Sequence, residues 1–311
     1  VQRPLAAFDR AAAQAARQGV IFGILAYGLW GLVPLYFRLV QHVRPEEVLA
    51  QRVLWSLVLL AGLVTLRGRW GEVRPALAAR KTLLMLSAST LLLAINWFTY
   101  IYAVASQQVV EASLGYFLNP LVNVVLGVWL LGEKLRRWQT VSLGLAIAGV
   151  AILGAPLIAV LLATSFAFYG LLRKQVAVDG LLGLLVETAL LAPLGLAYVA
   201  WLQVRGESAF VLADPATCLK LMASSVVTAA PLLLFTAAAR RLRFSTLGFL
   251  QYLSPTLQFL LAVFVFGEEL TTIKLTALGF IWAAVGIYSV DALRTYRHQR
   301  FAAYRAMPAD V

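Results

Sequence analysis

The chain of 311 residues has one cysteine, Cys218, and two histidines, His42 and His298. A single thiol excludes an internal disulfide and a cysteine-cluster metal site. Two histidines near the ends of apolar segments cannot make a histidine-rich ligand set, so neither a metal nor a cofactor is expected. Charge is scarce as well: 13% of residues are charged and 61% are hydrophobic. Soluble domains sit near ~25% charged and ~45–50% apolar, so this composition points to a bilayer. Acids are the rarest charges, with 14 Asp and Glu against 26 Lys and Arg and a net charge of +12. In a soluble protein that balance would point to nucleic acid. In a chain this apolar it reads as basic residues gathered in loops on one side of a membrane, and no nucleic-acid partner is expected. A GxxxxGK[ST] motif is missing too, which leaves direct ATP drive without a site.

What is present is a series of apolar runs. A membrane-spanning helix needs ~20 mostly apolar residues, and the chain divides into ten such stretches. They run about 19–40, 47–66, 82–104, 109–131, 138–154, 156–173, 181–203, 217–239, 245–266 and 273–290. The fold class read from this pattern is all-α integral membrane. Residues 1–18 form a polar lead, with 5–17 able to make a short surface helix, and 291–311 a basic tail. The junction at Gly154-Ala155-Pro156 leaves almost no turn, where helix connections usually take ~2–8 residues.

The fourth and ninth helices echo each other at one constant offset. Tyr116, Asn119, Pro120 and Asn123 map onto Gln251, Ser254, Pro255 and Gln258, and Gly132-Glu133 onto Gly267-Glu268. The positions i, i+3, i+4 and i+7 share one helix face, so both helices carry a polar stripe around a proline. Each proline removes a backbone donor and frees a carbonyl one turn back. At the same offset Gly144 and Ala148 in helix 5 map onto Gly279 and Ala283 in helix 10. This is a small-xxx-small pattern that lets helices approach closely. More loosely, and at slightly different offsets, Trp30-Gly31 is echoed by Tyr169-Gly170, and Phe98-Thr99 by Phe235-Thr236. The expected domains are a first five-helix repeat at 19–154 and a second at 155–290. Five is odd, so the second repeat enters the membrane from the opposite side, the plan of many secondary transporters.

Lys and Arg set the orientation. With the amino terminus inside, segments 1–18, 67–81, 132–137, 173–174, 240–243 and 294–305 hold three, five, three, two, three and four, twenty in all. The outside segments hold four: Arg44, Arg205, Lys220 and Lys274. This bias predicts both termini in the cytoplasm.

The runs QGVIFGILAYGLWGLVPLYF (18–37), EASLGYFLNPLVNVVLG (111–127), SFAFYGLLRK (165–174) and RLRFSTLGFLQYLSPTLQFLLAVFVFGE (241–268) resemble the drug/metabolite transporter superfamily, EamA type, and its RarD-like branch. The resemblance covers roughly 18–297. It implies a ten-helix exporter of amino acids or related metabolites in the bacterial inner membrane. It also implies a central cavity lined by helices 1, 3, 4, 6, 8 and 9. The RarD name is associated with chloramphenicol sensitivity, which makes drug-like small molecules the alternative cargo.

The candidate substrate-binding residues are Trp30, Asn96, Tyr100, Tyr116, Asn119, Asn123, Tyr169, Phe235, Gln251 and Gln258, with Pro120 and Pro255 as hinges. An amide in mid-membrane needs a partner, which an interhelical bond supplies as well as a substrate does. Aromatic faces attract an ammonium group, and Trp and Tyr also belt the membrane interface. Arg52 and Glu187 are the charges set deepest in helices, on helices 2 and 7, and are read as gating or coupling residues before substrate contacts. Glu133 and Glu268 follow glycines and read as hairpin ends. The functional expectation is a carrier working by alternating access on a small-molecule substrate, as a monomer or homodimer in the bilayer. A passive channel is the alternative from another class, though a neutral aromatic lining lacks the charged rings or carbonyl filters of ion pores. An enzyme is not expected, because no helix centre holds a histidine or an acid pair.

Overall fold

The computed structural model describes residues 2–131, 135–154, 156–176, 178–239, 241–242 and 250–305. Among them are helices and no strands. In chain order these are α1 (Gln2–Leu39), α2 (Pro45–Leu66), α3 (Trp70–Ala78), α4 (Arg80–Ala105), α5 (Val109–Leu131) and α6 (Arg137–Ile152). They continue as α7 (Leu157–Gln175), α8 (Gly180–Val204), α9 (Pro215–Ala239), α10 (Leu253–Leu260, followed by a π turn at Leu261–Val265) and α11 (Thr272–Arg305). Within the described residues, seven helices are long and apolar enough to cross a membrane, and Arg137–Ile152, Leu157–Arg173 and Leu253–Val265 are shorter apolar helices. Hydrocarbon offers no partner to a bare N–H or C=O, so apolar runs of this length close their hydrogen bonds internally.

Several boundaries differ from the sequence reading. The lead is not separate from the first span: Ala-rich residues 11–16 are strong helix formers, and α1 is continuous from Gln2. The tail likewise continues α11 as far as Arg305, no Gly or Pro intervening after Gly286. The loop after α2 contains the short helix α3. The tight junction is resolved by an earlier stop, α6 ending at Ile152. Gly154 then takes a positive φ, the left-handed conformation that suits glycine. Pro156 is the N-cap of α7.

The two echoed prolines sit differently. α5 runs unbroken through Pro120. Near Pro255 the helix is interrupted at Tyr252 and restarts at Leu253, so Pro255 lies in a first turn, where a missing N–H is harmless. A third proline matters more than the sequence reading allowed. Pro34 lies inside α1 and cannot donate to the Trp30 carbonyl. Gln258 Nε2 of α10 supplies that bond at 3.2 Å.

The principal packing pairs cross the middle of the chain. They are α1 with α9, α4 with α7, α1 with α10, α5 with α7, α2 with α9, α4 with α8, and the pairs α2–α8, α5–α10 and α6–α11. Exchange α1 with α7, α2 with α8, α4 with α9, α5 with α10 and α6 with α11, and this set maps onto itself. The largest apolar core lies among α1, α4, α5, α7, α10 and α11, and a second lies among α2, α4 and α8.

Polar cross-links concentrate at the end that carries the loops 40–44, 106–108, 205–214 and 266–271. Glu47, 1% exposed, accepts from Ser208 Oγ at 2.6 Å and from the N–H groups of Ala209 and Phe210. Glu268 accepts from the N–H groups of Val109 and Val110 at 2.7 and 2.9 Å. It therefore caps α5 across the two halves of the chain, where the sequence reading made it part of its own hairpin; Glu133 lies outside the described residues. Lys274 pairs with Glu111 at 3.0 Å, Tyr36 donates to the Lys220 carbonyl at 2.8 Å, and Arg44 meets Glu207 at 2.9 Å. We call this the sealed end.

The small-residue prediction needs correcting. Around Gly144 and Gly279 a Cβ would meet nothing within 4 Å. The close approach of α6 and α11 is at Gly149, where a Cβ would lie 2.9 Å from Ile281 Cγ1 and 3.0 Å from the Ala277 carbonyl oxygen. The buried face of α6 is offset from the echoed glycine, which the repeat spacing alone could not resolve. Gly149→Val is expected to lower stability in detergent by ~1–3 kcal/mol through overpacking. Gly144→Val is expected to leave the melting temperature unchanged, and a thermal melt of both variants checks this.

Candidate functional site

The central polar site is organised by Arg52. It is the eighth residue of α2, and its guanidinium lies 4.1 Å from the ring centroid of Trp97 on α4 and 5.5 Å from that of Phe37 on α1. Its Nε donates to Thr228 Oγ1 on α9 at 2.8 Å. A side chain from α2 thus reaches into the space between α1, α4 and α9. Arg52 is 8% exposed, and none of the ion pairs found among the described residues includes it.

Glu187 stands at the equivalent place in the other half. It is the eighth residue of α8, and the offset that carries Tyr116 to Gln251 also carries Arg52 to Glu187. It accepts from Ser89 Oγ on α4 at 2.6 Å, as Arg52 donates to α9. The Tyr169 hydroxyl on α7 donates to it at 3.3 Å, and Arg173 Nε lies 3.8 Å away. The two deep charges are therefore not partners of each other. Arg173, counted in the sequence as a loop charge, is the counter-ion that reading missed. It lies one turn after Tyr169, and i, i+4 side chains share a helix face. Gly183 makes room for it: a Cβ there would sit 2.1 Å from Arg173 Nη1.

The predicted aromatic lining divides in two. Phe37, Tyr100, Tyr116, Phe166 and Tyr169 form one ladder from α1 through α4 and α5 to α7, with successive centroids 6.0, 5.7, 6.2 and 6.0 Å apart. Trp30 belongs to a separate cluster with Tyr27 and Phe235, at 5.5 and 5.8 Å.

Of the polar candidates, Asn96 is committed to structure, donating to the Leu162 carbonyl and Ser165 Oγ and accepting from the Tyr116 hydroxyl. Gln258 holds the Trp30 carbonyl and bonds Ser254 Oγ, leaving its Oε1 unpartnered. Asn119 is 1% exposed, and neither atom of its amide has a partner. The buried Tyr100 and Ser56 hydroxyls are also unpartnered. Gln251 is half-buried. Asn123 does not share the buried face with Asn119 but is exposed. Past Pro120 the helix has fewer neighbours, Val125 and Trp129 being exposed as well.

A cavity of about 170 Å³ opens at the end opposite the sealed one, between α2, α8 and α9. Leu60, Ala229, Leu232 and Leu233 line it, with Arg67, Arg69, Asp179, Thr236 and Arg241 around it. Asp179 bonds Arg69 and, as the N-cap of α8, accepts from the Leu182 N–H at 2.9 Å. Helical, membrane-length elements, a polar site inside the bundle and a cavity at one end fit a membrane transporter.

The comparisons agree with that geometry. The EamA-like transporter family profile matches residues 17–155. Protein RarD of Salmonella typhi is 43% identical over 300 residues, covering 92% of this chain and 99% of that protein. The chain belongs to the EamA-like transporter family. It is a RarD-like multi-pass membrane transporter and not an enzyme. Chloramphenicol-sensitive protein RarD of Pseudomonas aeruginosa is 32% identical over 293 residues, covering 91% of this transporter and 97% of its own length. One crystal structure matches the fold with a TM-score of 0.53 and 20% identity, over 88% of this chain and 97% of that one.

The cleft ion pair gives the transporter a pH-dependent contact. Burial alone would raise the Asp179 carboxyl, but the Leu182 N–H and the Arg69 guanidinium outweigh it and hold it below its ordinary range. A depressed carboxyl stabilises the fold above its unfolded pKa and loses that contribution as the pH falls through its folded pKa. Asp179→Ala is expected to be less stable than wild type by ~1 kcal/mol at neutral pH, the usual loss for an N-cap. The gap closes as the pH drops below about 4, and Asp179→Asn, which keeps a capping oxygen, shows a smaller one. Thermal melts in detergent across that range check it.

Proposed function

We propose that this transporter exports amino acids or related small metabolites by alternating access, the solute resting between two inverted five-helix repeats at 19–154 and 155–290. One observation carries this reading: a packing scheme that exchanges its halves, joined to ends that differ. Among the described residues the sealed end is cross-linked by Glu47, Glu268, Lys274 and Tyr36, while the other end holds the cavity and has fewer ties between the halves, Arg69–Asp179 and Arg136–Asp291. A symmetric scaffold held in an asymmetric state is what a rocking carrier requires. The placement of Lys and Arg puts the cavity end, with both termini, in the cytoplasm of a bacterial inner membrane. This is then the inward-open state. A channel would not need differing ends.

The name of the Pseudomonas aeruginosa relative, chloramphenicol-sensitive protein RarD, supports a second cargo class of drug-like molecules. Purified protein in liposomes, given a panel of labelled amino acids and chloramphenicol, tests both. Saturable flux with counterflow is expected for at least one amino acid. Asn119→Ala and Gln251→Ala are expected to cut it at least fivefold while leaving folding intact. Flux no greater than in empty vesicles across the panel would remove the proposal.

A further inference from the structure

The geometry points to Arg52 as the anion receptor of the transporter, holding the carboxylate of a small solute that enters from the basic cavity between α2, α8 and α9. This deepens the function proposed above and rests on it.

Among the described residues Arg52 is a buried charge without a counter-ion. At symmetry-equivalent places the two halves hold Arg52 and Glu187, each bonded to a hydroxyl of the facing helix, Thr228 or Ser89. Glu187 has Arg173 beside it. Arg52 has aromatic faces and one hydroxyl. Removing a cation from water is costly unless a paired charge restores what is lost, and cation–π contacts restore only part of it. The contacts also orient it. Thr228 occupies Nε, and Trp97 and Phe37 lie against the guanidinium, which leaves the two Nη donors, the fork that binds a carboxylate through two parallel bonds.

Two helices carry residues from the cavity wall towards this fork. On α2, Arg52, Ser56 and Leu60 stand at i, i+4 and i+8, along one side of the helix, with Leu60 in the cavity wall. The rise of a helix puts Arg52 about 12 Å deeper than Leu60. On α9, Thr228 directly precedes Ala229, another residue of that wall. Between lies the Ser56 hydroxyl, buried and unpartnered, and Tyr100, whose hydroxyl is also unpartnered, packs on the Phe37 ring that lies against Arg52. Arg67 and Arg241 stand at the entrance and raise the local concentration of anions.

The experiment uses the full chain in liposomes and compares each transported labelled amino acid with two unlabelled competitors, the same amino acid and its carboxamide. The carboxamide keeps the ammonium and side chain and lacks the carboxylate. Wild type is expected to require at least tenfold more carboxamide than acid for equal competition. Arg52→Gln is expected to erase that preference, and Arg52→Lys to keep part of it. Equal competition in wild type, or a preference that survives Arg52→Gln, overturns the assignment without touching the transport reading. Should wild type move no amino acid, the transport reading fails by itself, and a binding measurement still decides Arg52. Benzoate, and not benzamide, is expected to raise the melting temperature of the purified protein at constant ionic strength, and Arg52→Gln to abolish the rise. Equal effects of the two probes, or a benzoate effect unchanged in the variant, would reject the site; a folded Arg52→Lys serves if the Gln variant does not purify.

Discussion

A buried carboxylate in an apolar bundle needs several donors or a cation, because burial without them costs several kcal/mol. The chain turns this need into a way of joining its halves. Glu47 in the first half accepts from the loop at Ser208–Phe210 in the second. Glu268 in the second half accepts from the first turn of α5 in the first. Glu187 in the second half accepts from Ser89 in the first. Glu47 and Glu268 find donors their own halves do not offer there, so separating the halves would strand them, whereas Glu187 would keep Tyr169 and Arg173. Two of these joints lie at the sealed end, and there a change of state must exchange one set of donors for another. The apolar core does not impose such a choice, since hydrophobic contact is non-directional.

Polar satisfaction also explains why the repeat is not carried through to every side chain. Pro34 has no counterpart in the second repeat, where residue 173 is an arginine. Its freed carbonyl at Trp30 recruits Gln258, and the echo of Gln258, Asn123, is exposed. One member of the pair thus became a structural strut and the other did not. Similarly Tyr116 bonds Asn96, whereas its echo Gln251 is half-buried on the turn before the break at Tyr252. The backbone plan is shared by both halves, and the local carbonyl that lacks a donor decides which side chains are spent on structure.

Much of the fold was legible because hydrophobic length is a strong signal. Apart from the first and last, which run on into the lead and the tail, each predicted span for which bounds are described matches a helix to within a few residues, and the echo between the chain's halves anticipates which helices exchange partners. The helix expected at 5–17 is present, but its continuity with the first span, and that of the tail with the last, were missed because charge was read as a boundary, although the helix-forming run through residues 11–16 has no break. The site was legible by residue type more than by role. Arg52 and Glu187 stood out as deep charges, but Trp97 and Thr228, which hold Arg52, carry no mark in an apolar sequence. Arg173 was hidden by its place beside Lys174, a pair that reads as a loop. Asn96 looked like a cavity residue because one sequence cannot show that the Leu162 carbonyl and Ser165 lie within its reach.

The equivalence of Arg52 and Glu187 bears on how such a carrier would be driven. In the inverted repeat proposed above, the eighth residue of α2 and the eighth of α8 lie equally far from opposite ends. Tilting one half against the other changes the environment of both at once, in opposite senses. The carboxylate is bonded to Ser89 of the other half but also has Tyr169 and Arg173 of its own half beside it. The guanidinium relies on Thr228, which belongs to the other half. A solute anion between α2 and α9 would add a second tie across the same division. Ligand and conformation are then coupled through one residue, because an anion bound there strengthens only the state that keeps α2 and α9 together, and a ligand shifts an equilibrium only by its difference in affinity between states.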